Sequence, residues 1–376
     1  MANTLELGNG KWATGKDTVL AFNDENNNFK PLPFDFTRDT VATVVNKAGL
    51  IETVGSGEPR IDFSNDAKGA LLLEPTRSNL VTYSEDFSQF TGGGSIVIES
   101  GYLAPDGTNS AYKVSGSAGA LNMGLGLTNS ETRSIYAKTI SGQGNAHLCS
   151  YFGNTNNLKT ITEDWQRFEV NGTTTETGVT SFYAVDFRGS TDLNEIIIWG
   201  AQAEQGSYAT SYIPTQGSAA TRSADNAYQQ SVTQVIGQSE GTMFIEFIPK
   251  DSSTLQILYQ AKSSSGVVGQ VDIRLQSGLI RALANDGGGS QFFMNGGSYT
   301  VGTKYKVAVR YKLNDSKLYI NGTDITGDTT CSFTGSSLDQ VSFAESLSSF
   351  LPSVDIVDAR LYNTALTNAE LQALTT

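Results

Sequence analysis

Beyond residue 70, apolar and polar residues alternate with a period of two through segment after segment, which marks strands with one face buried. The clearest case runs from Lys304 to Asn321. Tyr305, Val307, Val309 and Tyr311 fall on one side and Lys306, Ala308, Arg310 and Lys312 on the other, before Asn314-Asp315-Ser316 turns the chain into Lys317-Leu318-Tyr319-Ile320. Met243, Ile245 and Phe247 share a face in the same way, and Val271, Ile273 and Leu275 alternate with Asp272, Arg274 and Gln276. Earlier, Tyr102 to Val114, Arg133 to Thr139, Trp165 to Val170, Phe182 to Phe187 and Glu195 to Gly200 read as short strands between Gly, Asn and Thr turns. Val354 to Tyr362 predicts a closing strand, followed by a short helix with Thr367 as N-cap and Glu370 at its third position. The expectation is an all-β chain of two tandem antiparallel β-sandwiches, a jelly roll over residues 70–222 and a second sandwich over 223–376.

Residues 1–69 keep neither period. Trp12, Phe22, Phe29, Phe34 and Phe36 are scattered among Asn, Asp, Gly and Pro, and Pro31-Leu32-Pro33 favours an extended path. Spaced aromatics without a core of their own pack on something else: the next domain, sister subunits or a larger assembly. This stretch is read as an irregular docking or oligomerisation segment.

Composition agrees with short strands and many turns, since only 17% of the 376 residues are charged and Gly, Ser, Thr and Asn abound. The formal net charge of −13 repels phosphate backbones and anionic lipid, so neither nucleic acid nor membrane insertion is expected. Two distant cysteines, Cys149 and Cys331, exclude a disulfide scaffold and offer no metal-ligand spacing. The first residues carry no basic, apolar leader and no run approaches the roughly 20 apolar residues of a membrane span, so synthesis in a cytoplasm is expected.

Three passages carry a resemblance. Gly69-Ala70-Leu71-Leu72-Leu73-Glu74-Pro75-Thr76-Arg77-Ser78-Asn79-Leu80 with Tyr83-Ser84-Glu85-Asp86-Phe87 resembles a recurrent module of tailed-phage structural proteins. Its downstream elements follow in order: Ala104-Pro105-Asp106-Gly107, Trp165-Gln166-Arg167-Phe168, Ile198-Trp199-Gly200-Ala201-Gln202 and Ser207-Tyr208-Ala209-Thr210-Ser211-Tyr212-Ile213-Pro214-Thr215. Phe34-Asp35-Phe36-Thr37-Arg38, Gly49-Leu50-Ile51-Glu52 and Pro59-Arg60-Ile61-Asp62 look like the leader that precedes this module. Lys317-Leu318-Tyr319-Ile320-Asn321-Gly322 with Ala359-Arg360-Leu361-Tyr362-Asn363 is similar to laminin-G-like, concanavalin-A-like sandwiches. The resemblance implies a carbohydrate-binding-like jelly roll, a homotrimer, and a place on virion head or tail fibres, including those of phages of Bacteroides-like hosts.

Chemistry is sparse. His147 is the only histidine and has no nearby acid or strained serine. Scattered acids such as Asp164, Glu169, Asp186, Glu195, Glu246 and Asp272 show no paired spacing for glycoside hydrolysis, and the Gly-rich tracts have no fixed short repeat. Asp286 and Asp324 offer oxygen ligands for calcium, but Asn-Gly and Asp-Gly form turns with or without metal, so no cofactor is expected. Trp165 and Trp199 lie inside strand motifs and are read as packing residues. The expected glycan contacts are turn aromatics and their polar neighbours: Tyr151 and Phe152, Phe187 and Arg188, Asn285 and Asp286, Phe292 and Phe293. The reading is a non-enzymatic virion appendage subunit that binds cell-surface or mucus glycans and contacts other virion proteins through residues 1–69. Two alternatives stand beside it, a decoration protein without ligand and a glycan depolymerase.

Overall fold

Ten strands between Thr91 and Gln205 make the first sandwich, two five-stranded antiparallel sheets. These and the elements below come from a computed structural model, which describes residues 4–23, 30–127, 131–150, 157–171, 181–252, 255–265, 269–286, 289–331, 337–344 and 351–376. One sheet runs, in hydrogen-bonded order, Thr91–Gly92, Ala120–Gly124, Ser181–Asp186, Gly144–Ser150 and Leu158–Ile161. The other runs Val97–Tyr102, Ala111–Ser115, Glu195–Gln205, Glu131–Lys138 and Gln166–Asn171. Val114, Ile135, Leu148, Phe182, Ile196 and Ile198 fill the space between them.

Glu195–Gln205 is buried almost throughout, without alternation, because both of its faces are covered. Ile196 and Ile198 point into the sandwich, whereas Ile197 and Trp199 join Ile51, Ala111 and Tyr212 in a separate cluster outside it. Ile51 belongs to the hairpin Ala42–Val45 and Ile51–Val54. Trp199 is fully buried there, edge-on to Tyr136 at 5.6 Å, with its indole donating to Ser110 Oγ at 2.9 Å. Trp165 is half-buried against the same cluster.

The second sandwich recruits the start of the chain. Its first sheet runs Thr18–Asn23, Lys30–Thr37, Asn226–Gln230, Gln340–Ala344, Gln256–Lys262, Gln270–Gln276, Leu279–Asp286 and Gly289–Ser298. In the facing sheet, Leu5–Gly8 and Ala70–Leu73 pair along one edge of Val354–Tyr362. Gly241–Pro249, Tyr305–Tyr311, Ser316–Ile320 and Thr323–Asp328 continue from its other edge. The Lys304-to-Asn321 hairpin forms as its alternation predicts, with Val307, Val309 and Tyr311 in the core. The opposite face is not left to solvent. Ala308 and Phe244 are roofed by the helix Asn368–Thr375, which starts in the expected capping box of Thr367 and Glu370.

Residues 5–23 and 30–37 therefore correct the expectation of an irregular docking segment. Phe34 and Phe36 are fully buried in this chain's own sandwich, Phe34 meeting Phe343 at 5.5 Å, and Phe343 stacks on Tyr259 at 4.8 Å. Trp12 packs on the same core and donates its indole N–H to Gly69 O at 3.0 Å. The backbone of Phe22 pairs with Pro31 in this sheet, and Phe29 lies outside the described residues. Buried rings cannot serve a second chain, so Phe34 and Phe36 are removed as docking residues, while Trp12 is half-buried against this chain's own core. The strands were hidden because Pro31 and Pro33 break the pattern. They are tolerated because Asn226–Gln230 pairs only with Asp35, Phe36 and Thr37, which leaves their other edge without a ladder to complete.

The three segments meet around ion pairs without solvent. Arg38, Arg60 and Arg222 share Glu74 and Asp225, and all five side chains are buried. The Thr210 hydroxyl accepts from Arg222 at 3.0 Å and donates to a further buried carboxylate, Glu204. Among the described residues no helix is long and apolar enough to cross a membrane.

Candidate functional site: the outer face of the second sandwich

Strand geometry sends every second residue of the first sheet of this sandwich away from the core. From Gly289–Ser298, Phe292 and Met294 point inward and are buried, while Phe293 stands outward and is 42% exposed. Leu279–Asp286 alternates perfectly, with Ile280, Ala282 and Ala284 inside and Leu279, Arg281, Leu283 and Asn285 half-exposed outside. Register places Leu283 directly across from Phe293, and Arg281 across from Asn295. The Arg281 guanidinium lies 5.1 Å from the centre of the Phe293 ring, and its Nε has no hydrogen-bond partner. This row extends inward as Asp272 opposite Leu283, Gln260 opposite Asp272 and Ser342 opposite Gln260.

The face is thus polar, with one large apolar ring near its edge. Asp272 is fully buried and held by its neighbours. Arg274 donates to it through Nε at 2.6 Å and through Nη2, and Gln270 donates at 3.1 Å. Burial pushes its carboxyl above the usual range, while Arg274 pulls it back. The Asn285 and Asn295 amides carry no hydrogen bond to another described side chain. They lie about 7 Å along their strands from Leu283 and Phe293 respectively, two residues at strand rise. An apolar ring, a guanidinium and two free amides on a rigid sheet can accept a pyranose face and its hydroxyls at once.

The expected turn platforms fare differently. Phe187 is buried in the first sandwich, so it is corrected to a core residue. Arg188 is partly exposed but bound through Nε and Nη2 to Asp186, at 2.8 and 2.6 Å. Phe292 is likewise core, because the segment after the glycines is a strand and consecutive residues take opposite faces. Asp286 is buried and accepts from Gln291 at 2.7 Å, and Asp324 accepts from Lys317 at 2.9 Å. Tyr151 and Phe152 lie outside the described residues. His147 is buried in the strand Gly144–Ser150. Three carboxylates share one device, an arginine two residues on: Asp186 with Arg188, Asp272 with Arg274 and Asp358 with Arg360. Among the described residues no three His, Cys, Asp or Glu side chains are grouped to hold a metal.

No family model matches the chain, and no curated protein does. Solved structures do. The Ruminococcus gnavus IT-sialidase CBM40 bound to α2,3-sialyllactose is similar over 39% of this chain and 90% of that one, at 16% identity and a TM-score of 0.34. Domain 4 of AbnA, a GH43 extracellular arabinanase from Geobacillus stearothermophilus, in complex with arabinotriose, matches over 45% and 81%, at 15% identity and 0.34. The receptor-binding domain of botulinum neurotoxin mosaic serotype C/D matches over 40% and 39%, at 12% identity and 0.32.

Arg281, Leu283 and Asn295 were not anticipated. The alternation of Leu279 to Asp286 was the available signal, masked by the reading of Asn285-Asp286-Gly287 as a turn.

Proposed function

We propose that the chain is a non-catalytic, glycan-binding subunit of a phage virion appendage, and that it reads glycan on the outer face of its second sandwich. The observation that carries the binding half is the exposed Phe293 ring, held by Arg281 and flanked by the unbonded amides of Asn285 and Asn295. Sugars offer apolar ring faces edged with hydroxyls, and this platform supplies a partner for each. A flat, open site binds weakly, and several copies on one particle supply avidity. The ordered motifs from Gly69 to Thr215, which resemble a tailed-phage module, support the virion half. A homotrimer would place three platforms together.

Glycan-array and titration measurements on the intact chain test the binding half. Binding that falls about tenfold or more in Phe293→Ala, with Asn285→Ala and Asn295→Ala also weakened, supports the platform. Array-wide silence, or binding indifferent to Phe293, overturns it in favour of a decoration role. Antibody labelling of purified particles tests the virion half, and absence from the particle overturns that.

A further inference from the structure

A cleft opens where the Ala42–Val54 hairpin, the first sandwich and the second sandwich meet. Its volume is about 440 Å³, within the range of small-ligand sites, and three separate parts of the chain wall it. Tyr136 and Arg167 come from adjacent strands of the first sandwich, Tyr208 from the loop after it, and Lys250 from the end of Gly241–Pro249.

Most of the donors in the cleft are fixed. Arg167 gives Nη1 to Thr210 O at 2.6 Å and Nη2 to Ser134 Oγ at 2.9 Å, and lies 5.5 Å from the Tyr136 ring centre. Lys250 is held by Asp355 at 3.2 Å. Against these rigid groups stand three without a described hydrogen-bond partner: the carboxylate of the exposed Glu169, the Tyr136 hydroxyl and the buried Nε of Arg167. Burial raises the phenols of Tyr136 and Tyr208, so both remain hydroxyl donors at neutral pH. The lining carries no cationic surplus: Arg167 faces Asp62 and Glu169, Lys250 is matched by Asp355, and Glu74 is matched by Arg60 and Arg222.

We infer that this cleft is a second carbohydrate site, which takes the terminal unit of a neutral glycan. An acceptor carboxylate, phenolic donors and aromatic walls in a bounded cleft suit one pyranose with its hydroxyls. A sugar carboxylate would meet Glu169 and Asp62, and a polyphosphate or nucleic acid would find no cationic surplus. The choice of ligand class rests on the glycan-binding reading, but the residues differ from those of the platform, so the two stand or fall apart.

The test is saturation-transfer NMR and calorimetric titration of the intact chain with the methyl glycosides of glucose, galactose, mannose and N-acetylglucosamine. At least one is expected to bind in the millimolar range, with affinity lowered about tenfold in Glu169→Ala and lowered in Tyr136→Phe, which keeps the ring packing. Phe293→Ala is expected to leave this binding unchanged. Binding by none of the four, or binding lost in Phe293→Ala and retained in Glu169→Ala, overturns the second site. Loss of long-glycan binding in Phe293→Ala alone bears only on the platform.

Discussion

Arg60 Nη1 lies 2.7 Å from Glu74 Oε2 in a place without solvent, and the same guanidinium reaches Asp225 through Nη2. Glu74 is the acid of the Glu74-Pro75-Thr76-Arg77 motif, and Arg222, which it also binds at 3.1 Å, donates to Pro75 O at 2.6 Å. The pairing ties the leader before the first sandwich to the crossing into it and the exit from it.

Breaking this pairing leaves charges buried without partners. Glu74→Gln is expected to cost about 3 to 5 kcal/mol in denaturant unfolding. Neighbouring guanidinium groups of Arg222 and Arg60, acting against burial, hold the Glu74 carboxyl well below its usual 4.5. Its stabilisation is therefore complete above pH 4.5 and is lost as pH falls toward the lowered folded value. The stability gap between wild type and Glu74→Gln should shrink in acid, and a gap that stays constant to pH 3 would contradict the assignment.

Asp358 has the opposite sign. Burial raises its carboxyl from 3.8 to about 6 although Arg360 donates to it at 2.7 Å. The folded state then holds the proton more tightly, so this group costs stability as pH rises from about 4 to 6, on the order of 3 kcal/mol in full. Unfolding measured across that window should show wild type losing ground relative to Asp358→Asn.

Phe292 and Phe293 separate fold from binding. Phe292→Ala empties core space and is expected to cost about 3 to 5 kcal/mol. Phe293→Ala removes an exposed ring and one contact with Arg281, and is expected to cost about 1 kcal/mol or less. Thermal unfolding of both variants, set beside glycan titration, checks the division.

Removal of residues 1–37 strips Val19, Ala21, Phe34 and Phe36 from the second sandwich and unpairs Asp358 to Leu361 along one edge of Val354–Tyr362. The shortened chain is expected to aggregate or to bind hydrophobic dye. A soluble chain with an unchanged melting temperature would restore the docking-segment reading.

Sequence alone determined whatever is written in neighbouring residues. Period-two alternation specified the Lys304-to-Asn321 hairpin and the Val354-to-Tyr362 strand, and the spacing of Thr367 and Glu370 specified the helix start, because strand faces and helix caps depend on residues two to four apart. The tertiary structure decided the rest. Phe36 found its partner strand Asn226–Gln230 some two hundred residues away, a pairing to which local pattern is blind. Whether Phe292 or Phe293 faced outward depended on a strand continuing past the glycines, and Arg281 and Asn285 reached Phe293 from a second strand brought into register. Arg38, Arg60 and Arg222 lie far apart in the sequence, and only folding removed their water and left carboxylates as their partners.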